Sequence, residues 1–82
     1  MRITVKLFGQ EREVLGVDAA AVDVASEGIS CAELRERLAE AHPAIAERLP
    51  WCRFAVNHEF ATDDTPVHAQ DEVALIGAVS GG

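Results

Sequence analysis

The seven residues RITVKLF, Arg2–Phe8, alternate without a break between apolar and polar side chains. Ile3, Val5 and Leu7 fall on one side; Arg2, Thr4, Lys6 and Phe8 fall on the other. A period of two describes a strand buried on one face only. A sheet with one apolar face must be covered, so the chain has to supply a second layer. Phe8 breaks the pattern, as an aromatic on the polar side.

The remaining segments supply both layers. AAVDVA, Ala20–Ala25, is a second strand with Ala20, Val22 and Val24 facing inward. The link from Gly9 to Gly16 is bounded by glycines and has room for a helical turn, which makes the two strands an antiparallel hairpin. The cover is GISCAELRERLAEAHP. Ser30 is its N-cap and Glu33 completes a capping box, while Ile29 and Leu34 form a hydrophobic staple. Leu34, Leu38 and Ala41 line one face, and Pro43 ends the helix by His42 because it disfavours helical dihedrals in the residue before it. AIAERL then reads as a short helical turn closed by Pro50.

RFAVN, Arg53–Asn57, is a third strand, followed by a turn at His58–Glu59 and a brief return at Phe60–Ala61. DDTP is a turn cluster. DEVALI, Asp71–Ile76, is the last strand, with Val73 and Leu75 on one face and Ala74 and Ile76 on the other. One helix over one face of a small sheet is an α+β two-layer fold. A hairpin, a crossover helix and a final strand returning to the middle make the β-grasp, or ubiquitin-like, layout, with a mixed sheet of four to five strands.

Eighty-two residues make one domain, here 1–76, with 77–82 as a flexible C-terminal tail. The formal net charge of −7 argues against nucleic acid and favours a partner with a basic surface. The longest apolar run, Val73–Val79, is too short to span a bilayer, and the N-terminus carries charges where a signal peptide is apolar. A cytoplasmic protein is expected. Cys31 and Cys52 have neither metal nor redox spacing and are expected to be reduced and structural. His42, His58 and His68 share no ligand spacing, and Trp51 reads as a packing residue beside Pro50.

Glycine is a natural residue for a frayed end, so a Gly-Gly end alone is a weak signal and gains meaning only in company. Here VKLFGQERE of the first strand, AVN of the third, DEVALI of the last and the terminal VSGG together resemble the ubiquitin-like sulfur carriers of the MoaD/ThiS family, which include the small subunit of molybdopterin synthase. The resemblance covers the whole chain. It implies that the carboxylate of Gly82 is adenylated by an E1-like enzyme that uses ATP, and converted to a thiocarboxylate by a sulfur donor enzyme. The sulfur then goes to a pyranopterin precursor within a complex with two large catalytic subunits. It implies no stably bound cofactor and no metal, and a carried substrate more than an enzyme acting alone. Carriers for thiamine, cysteine or transfer-RNA thiolation share the ending, as do ubiquitin-like protein modifiers.

Two departures stand out. Gly77 and Ala78 occupy positions where many such carriers have proline, so the tail exit is expected to be looser. AQDE precedes the last strand where an Asp-Gly-Asp pattern is common.

The chemistry accounts for the glycines. A carboxylate is inert to a sulfur nucleophile until adenylation gives it a leaving group. Its terminus must then thread two active sites, which favours residues of little bulk at Val79, Ser80, Gly81 and Gly82. If the first and last strands are parallel neighbours, Phe8 and Ile76 close them at the same end, on the face opposite the core. Such a patch often marks an interface. Phe60 falls where the resembling proteins place another apolar contact. Phe8, Phe60 and Ile76 are the expected partner surface, with Val79 anchoring the tail and Arg12 offered to an acidic partner residue.

Overall fold

The computed structural model describes residues 1–25 and 27–77, so Val79, Ser80, Gly81 and Gly82 lie outside the described residues. The order is β1 (Arg2–Leu7), α1 (Gly9–Leu15), β2 (Ala19–Asp23), β3 (Gly28–Ser30), α2 (Cys31–Ala41), two 3₁₀ turns (Pro43–Ile45 and Leu49–Trp51), β4 (Arg53–Val56), β5 (Glu59–Phe60), β6 (Pro66–His68) and β7 (Val73–Ile76). Five strands form one sheet in the order β2-β1-β7-β4-β5, and β3 pairs with β6 in a separate ribbon. The last strand therefore lies in the middle, parallel to β1 and antiparallel to β4. This is the β-grasp arrangement, with α2 packed on one face of a mixed sheet.

The alternation in β1 becomes a strict exposed–buried pattern, with Ile3, Val5 and Leu7 in the core. Beside them on the same sheet face come Val73 and Leu75 of β7 and Phe54 and Val56 of β4, and Leu34 and Leu38 come from α2, all buried. Ile45 and Leu49, from the two 3₁₀ turns, close the core beyond the end of α2. Ala41, expected on the buried face, is exposed, because the face turns toward solvent in the last turn and Ile45 fills the space.

The start of α2 is satisfied from two directions. Ser30 Oγ accepts from the Glu33 amide at 3.1 Å, as the capping motif requires. The carbonyls of Thr65 and Asp63 accept from the Cys31 and Ala32 amides at 2.9 and 3.1 Å. The DDTP turn thus caps the helix, and the short β3–β6 ribbon carries it there. This ribbon was not expected from the sequence.

The β4–β5 hairpin turns on Asn57 and His58, one residue earlier than His58–Glu59, and both have positive φ (53° and 70°). That geometry matches the twist of a two-residue hairpin, and asparagine tolerates it well. Asn57 is also held from outside: its Oδ1 accepts from the Glu72 amide at 3.0 Å and its Nδ2 donates to Asp71 Oδ1 at 3.2 Å. The Asp71 carboxyl also accepts from the His68 amide at 2.8 Å, and that bond, with Asn57, holds its pKa below the usual carboxylate value.

Replacing Ser30 with Ala removes one of these caps. The expected cost is about 1 kcal/mol, which lowers the melting temperature of a domain this size by about 4–8 °C. Thermal denaturation followed by circular dichroism measures it; an unchanged midpoint would mean the Thr65 and Asp63 carbonyls suffice.

Candidate functional site

The parallel register pairs Val5 with Val73, Lys6 with Ala74 and Leu7 with Leu75. Phe8 therefore comes level with Ile76 where both strands end. Phe8 does not continue β1. It is the extended N-cap of α1 and is 50% exposed. The two side chains line one groove with Gly9, Gln10, Trp51 and Cys52, and Gly77 lies at its edge.

Phe60 reaches the same sheet face by another route. It pairs with Ala55, which pairs with Ala74, which pairs with Lys6, so these four share a row on the solvent side. In the next row Ile76 pairs with Arg53. The Arg53 guanidinium lies over the Phe60 ring, 4.4 Å from its centroid, a cation–π contact that links Phe60 to Ile76. Phe60 is exposed and takes no part in the core. The structure thus brings Phe8 and Ile76 together and sets Phe60 beside them through Arg53.

Arg12 stands apart. It belongs to α1, not to the end of β1, and its Nε is 2.6 Å from Asp18 Oδ1, away from the groove that Phe8 lines. Its charge is matched within the chain.

Two residues at this end escaped the sequence reading. Trp51 is 74% exposed and adds a large aromatic surface to the groove, in place of the packing role expected beside Pro50. The second 3₁₀ turn presents it. That turn is fixed by Arg35, whose Nη1 donates to the Leu49 carbonyl and, at 2.9 Å, to the Cys52 carbonyl. Glu11 is the other. It is 2% exposed, the one buried charged residue among the described residues, and its Oε2 accepts from Arg48 Nε at 2.6 Å. Arg48 also donates to Gln10 Oε1.

Glu11 changes the account of Gly77. A Cβ built at Gly77 would collide with Glu11 Oε1 and lie 3.1 Å from Cδ. Glycine here admits a carboxylate against the backbone.

Cys31 and Cys52 are free and buried. Burial pushes both thiols up from their ordinary value, and for Cys52 the Glu11 carboxylate adds to the effect. Among the described residues no cluster of His, Cys, Asp and Glu could hold a metal ion, and no helix is long and apolar enough to cross a membrane.

A mixed β-grasp sheet with a groove where its first and last strands end, lined by Phe8, Trp51, Ile76 and Gly77, defines a ubiquitin-like fold. The comparisons narrow the class. The chain belongs to the ThiS family, whose model matches residues 5–82. It is 34% identical to the molybdopterin synthase sulfur carrier subunit of Chlamydomonas reinhardtii, over the full length of both chains. Among solved structures it is similar to SAMP1 from Haloferax volcanii, with a TM-score of 0.83 and 30% identity over 100% of both chains. A crystal structure of small archaeal modifier protein 1 from the same organism superposes with a TM-score of 0.81 and 28% identity, covering 95% of this chain and 98% of that one.

The thiol environment gives a direct test. A raised folded-state pKa keeps the thiolate fraction low at neutral pH, and the thiolate is the reactive form. At pH 8, Cys31 and Cys52 should react with an aromatic disulfide reagent at least roughly tenfold more slowly in the folded protein than in denaturant, and the contrast should shrink as pH rises. Equal rates in both states would show that the thiols are accessible and unperturbed.

Proposed function

We propose that this protein is a sulfur carrier, acting as the small subunit of a molybdopterin synthase, with the C-terminal carboxylate of Gly82 as its reactive group. The observation that carries the reading is the shared exit. The chain reaches Gly77 at the rim of a groove lined by Phe8, Trp51 and Ile76, so the surface that docks and the end that reacts leave from one place. The full-length relatives named as molybdopterin synthase sulfur carrier subunits supply the chemistry.

On this reading an activating enzyme brings ATP to Gly82. A carboxylate oxygen bonds to the α-phosphorus, pyrophosphate leaves, and the acyl-adenylate has a good leaving group. The terminal sulfur of a donor persulfide bonds to the carbonyl carbon as AMP departs. A further thiol then breaks the sulfur–sulfur bond and leaves a thiocarboxylate. That soft, ionised sulfur attacks a carbon of the pyranopterin precursor and displaces an oxygen leaving group from it, and water then cleaves the acyl–sulfur bond, leaving sulfur on the precursor and restoring the carboxylate. The carrier holds no cofactor of its own in this scheme, and the reaction takes place in the cytoplasm. The large catalytic subunit of the synthase receives the tail, two carriers serving two large subunits.

The tail must reach. Residues 78–82, if fully extended, span at most roughly 18 Å, so the fold has to dock close to the partner's active site. Phe8, Ile76, Trp51, Arg53 and Phe60 would make that contact, and the net charge of −7 suits partners with basic rims. The same tail would serve another sulfur pathway, and the acceptor alone distinguishes them. A second reading, a protein modifier that joins Gly82 to a lysine, is favoured by the likeness to the archaeal modifier protein.

Mass spectrometry of the C-terminal peptide after incubation with ATP, a sulfur donor and the activating enzyme should show one oxygen of Gly82 replaced by sulfur, trapped by a thiol alkylating agent. Isopeptide-linked conjugates without a thiocarboxylate would support the modifier. Deleting Gly82 should abolish product formation and leave the circular dichroism spectrum unchanged; surviving activity would end the tail mechanism.

A separate prediction concerns the surface. Phe8→Asp keeps a favoured N-cap residue for α1. It should weaken binding to the large subunit at least roughly tenfold, as expected for an interfacial aromatic, with a melting temperature close to that of the wild type. Calorimetric titration measures it, and unchanged affinity would remove Phe8 from the interface.

A further inference from the structure

We infer that Glu11 is a positioning residue: its buried carboxylate, held by Arg48, orders the backbone at Gly77, the point from which the chain runs on to its reactive glycine. The inference rests on the sulfur-carrier reading for its functional consequence, and on the following geometry for the anchor itself.

Glu11 lies in α1, a helix of seven residues with a mostly polar sequence, yet it is 2% exposed. Its carboxylate has two jobs. Oε2 accepts from Arg48 Nε at 2.6 Å, and Oε1 faces Gly77 so closely that a Cβ there would collide with it. Arg48 is itself fixed. Its guanidinium also donates to Gln10 Oε1, and its carbonyl accepts from the Trp51 amide at 3.0 Å and the Cys52 thiol at 3.2 Å. A chain of contacts therefore runs from the Trp51 turn through Arg48 and Glu11 to Gly77, along one wall of the groove.

Filling this space does not require a charge. An apolar side chain of similar volume would avoid the desolvation of a carboxylate, and replacements of buried ion pairs by apolar residues are often neutral or stabilising. What a carboxylate adds is direction. It is held at one end by a guanidinium and set at the other against the last described residue before the tail. A tail that starts from a fixed point and heading searches less space for the activating enzyme's adenylation site. Docking, which uses the exposed side chains, does not depend on it. Loss of the anchor should therefore slow the chemistry and spare the binding.

The test uses the full chain, with Glu11→Leu to keep the bulk and remove the carboxylate, and Gly77→Ala to strike the same contact from the backbone side. Nuclear magnetic relaxation of the residue 77 amide reads the anchor. ATP–pyrophosphate exchange with the cognate activating enzyme reads the consequence, as kcat and as KM for the carrier. The wild-type amide should have an order parameter of about 0.85 and both variants below about 0.6. In both variants kcat should fall roughly tenfold, the factor for losing one residue's backbone order, with KM within about twofold. If residue 77 is as ordered in Glu11→Leu as in the wild type, or if it loosens while kcat holds, the inference is overturned. A fall in both kcat and KM binding strength would assign Glu11 to the docking surface instead and also overturn it. If even the wild type supports no exchange, the sulfur-carrier reading fails and takes the positioning role with it, while the relaxation data still decide whether Glu11 anchors Gly77.

Discussion

Parallel pairing of the first and last strands cannot be closed by a turn, and the rest of this chain is arranged around that fact. Val5 pairs with Val73 and Leu7 with Leu75, so nearly everything between them serves as one long connection. The connection must leave the sheet, cross a face and return, which is why α2 has a face to cover and why β4 comes back antiparallel beside β7. Such non-local pairing closes a long loop before contacts reward it, a slow step in folding. In exchange it places the start of α1 and the end of β7 side by side. The groove between Phe8, Trp51 and Ile76 is a direct product of that register.

Charge follows a similar economy. All seven basic side chains are engaged within the chain. Arg2, Lys6, Arg12 and Arg37 meet Asp23, Glu72, Asp18 and Glu33 at the surface, where each pair contributes little, about 0–1 kcal/mol. The other three are structural in a stronger sense. Arg35 clasps the carbonyls of Leu49 and Cys52, Arg48 holds Glu11, and Arg53 lies over Phe60. With every cation committed, the surplus of acidic side chains is left to face solvent and partners. Long-range attraction to a basic surface speeds encounter more than it tightens the complex.

Much of this was legible before any coordinates. The alternation in Arg2–Leu7, the Ser30 cap and the apolar parity of Val73 and Leu75 are local patterns, and each maps onto the observed strand or helix. The parity rule also put Phe8 and Ile76 at one end. The failures share a different property. The β3–β6 ribbon has three residues a side, too few for a period to show. Trp51 reads as a packing residue beside Pro50, but it is exposed, on a turn held by Arg35 reaching the neighbouring carbonyls, a contact across 14 and 17 residues of sequence. Glu11 carries no local signal, because the Arg48 that holds it lies 37 residues further along the chain. Gly77 was visible as a departure from proline, but its cause is a carboxylate from the opposite end of the chain. Local pattern carried the scaffold; the details of the site depend on side chains that meet only after the chain has closed.

On the proposed function the carrier serves two partners in turn and faces opposed demands, which different residues can meet. Release requires a docking surface that is not too adhesive. The docking surface proposed above consists of a few apolar side chains, Phe8, Trp51, Phe60 and Ile76, beside Ala55 and Ala74, with an acidic net charge to hasten association. Such surfaces suit transient complexes, where affinity depends on a few anchors and not on area. Reaction requires a terminus delivered in good geometry, which weak docking alone cannot ensure. Holding Gly77 against Glu11 supplies that order inside the carrier, before any partner is met, and so without adding contacts that would slow its departure. The buried carboxylate is then best understood as a cost taken in folding stability, which both complexes share, in place of one taken in binding, which each would have to undo.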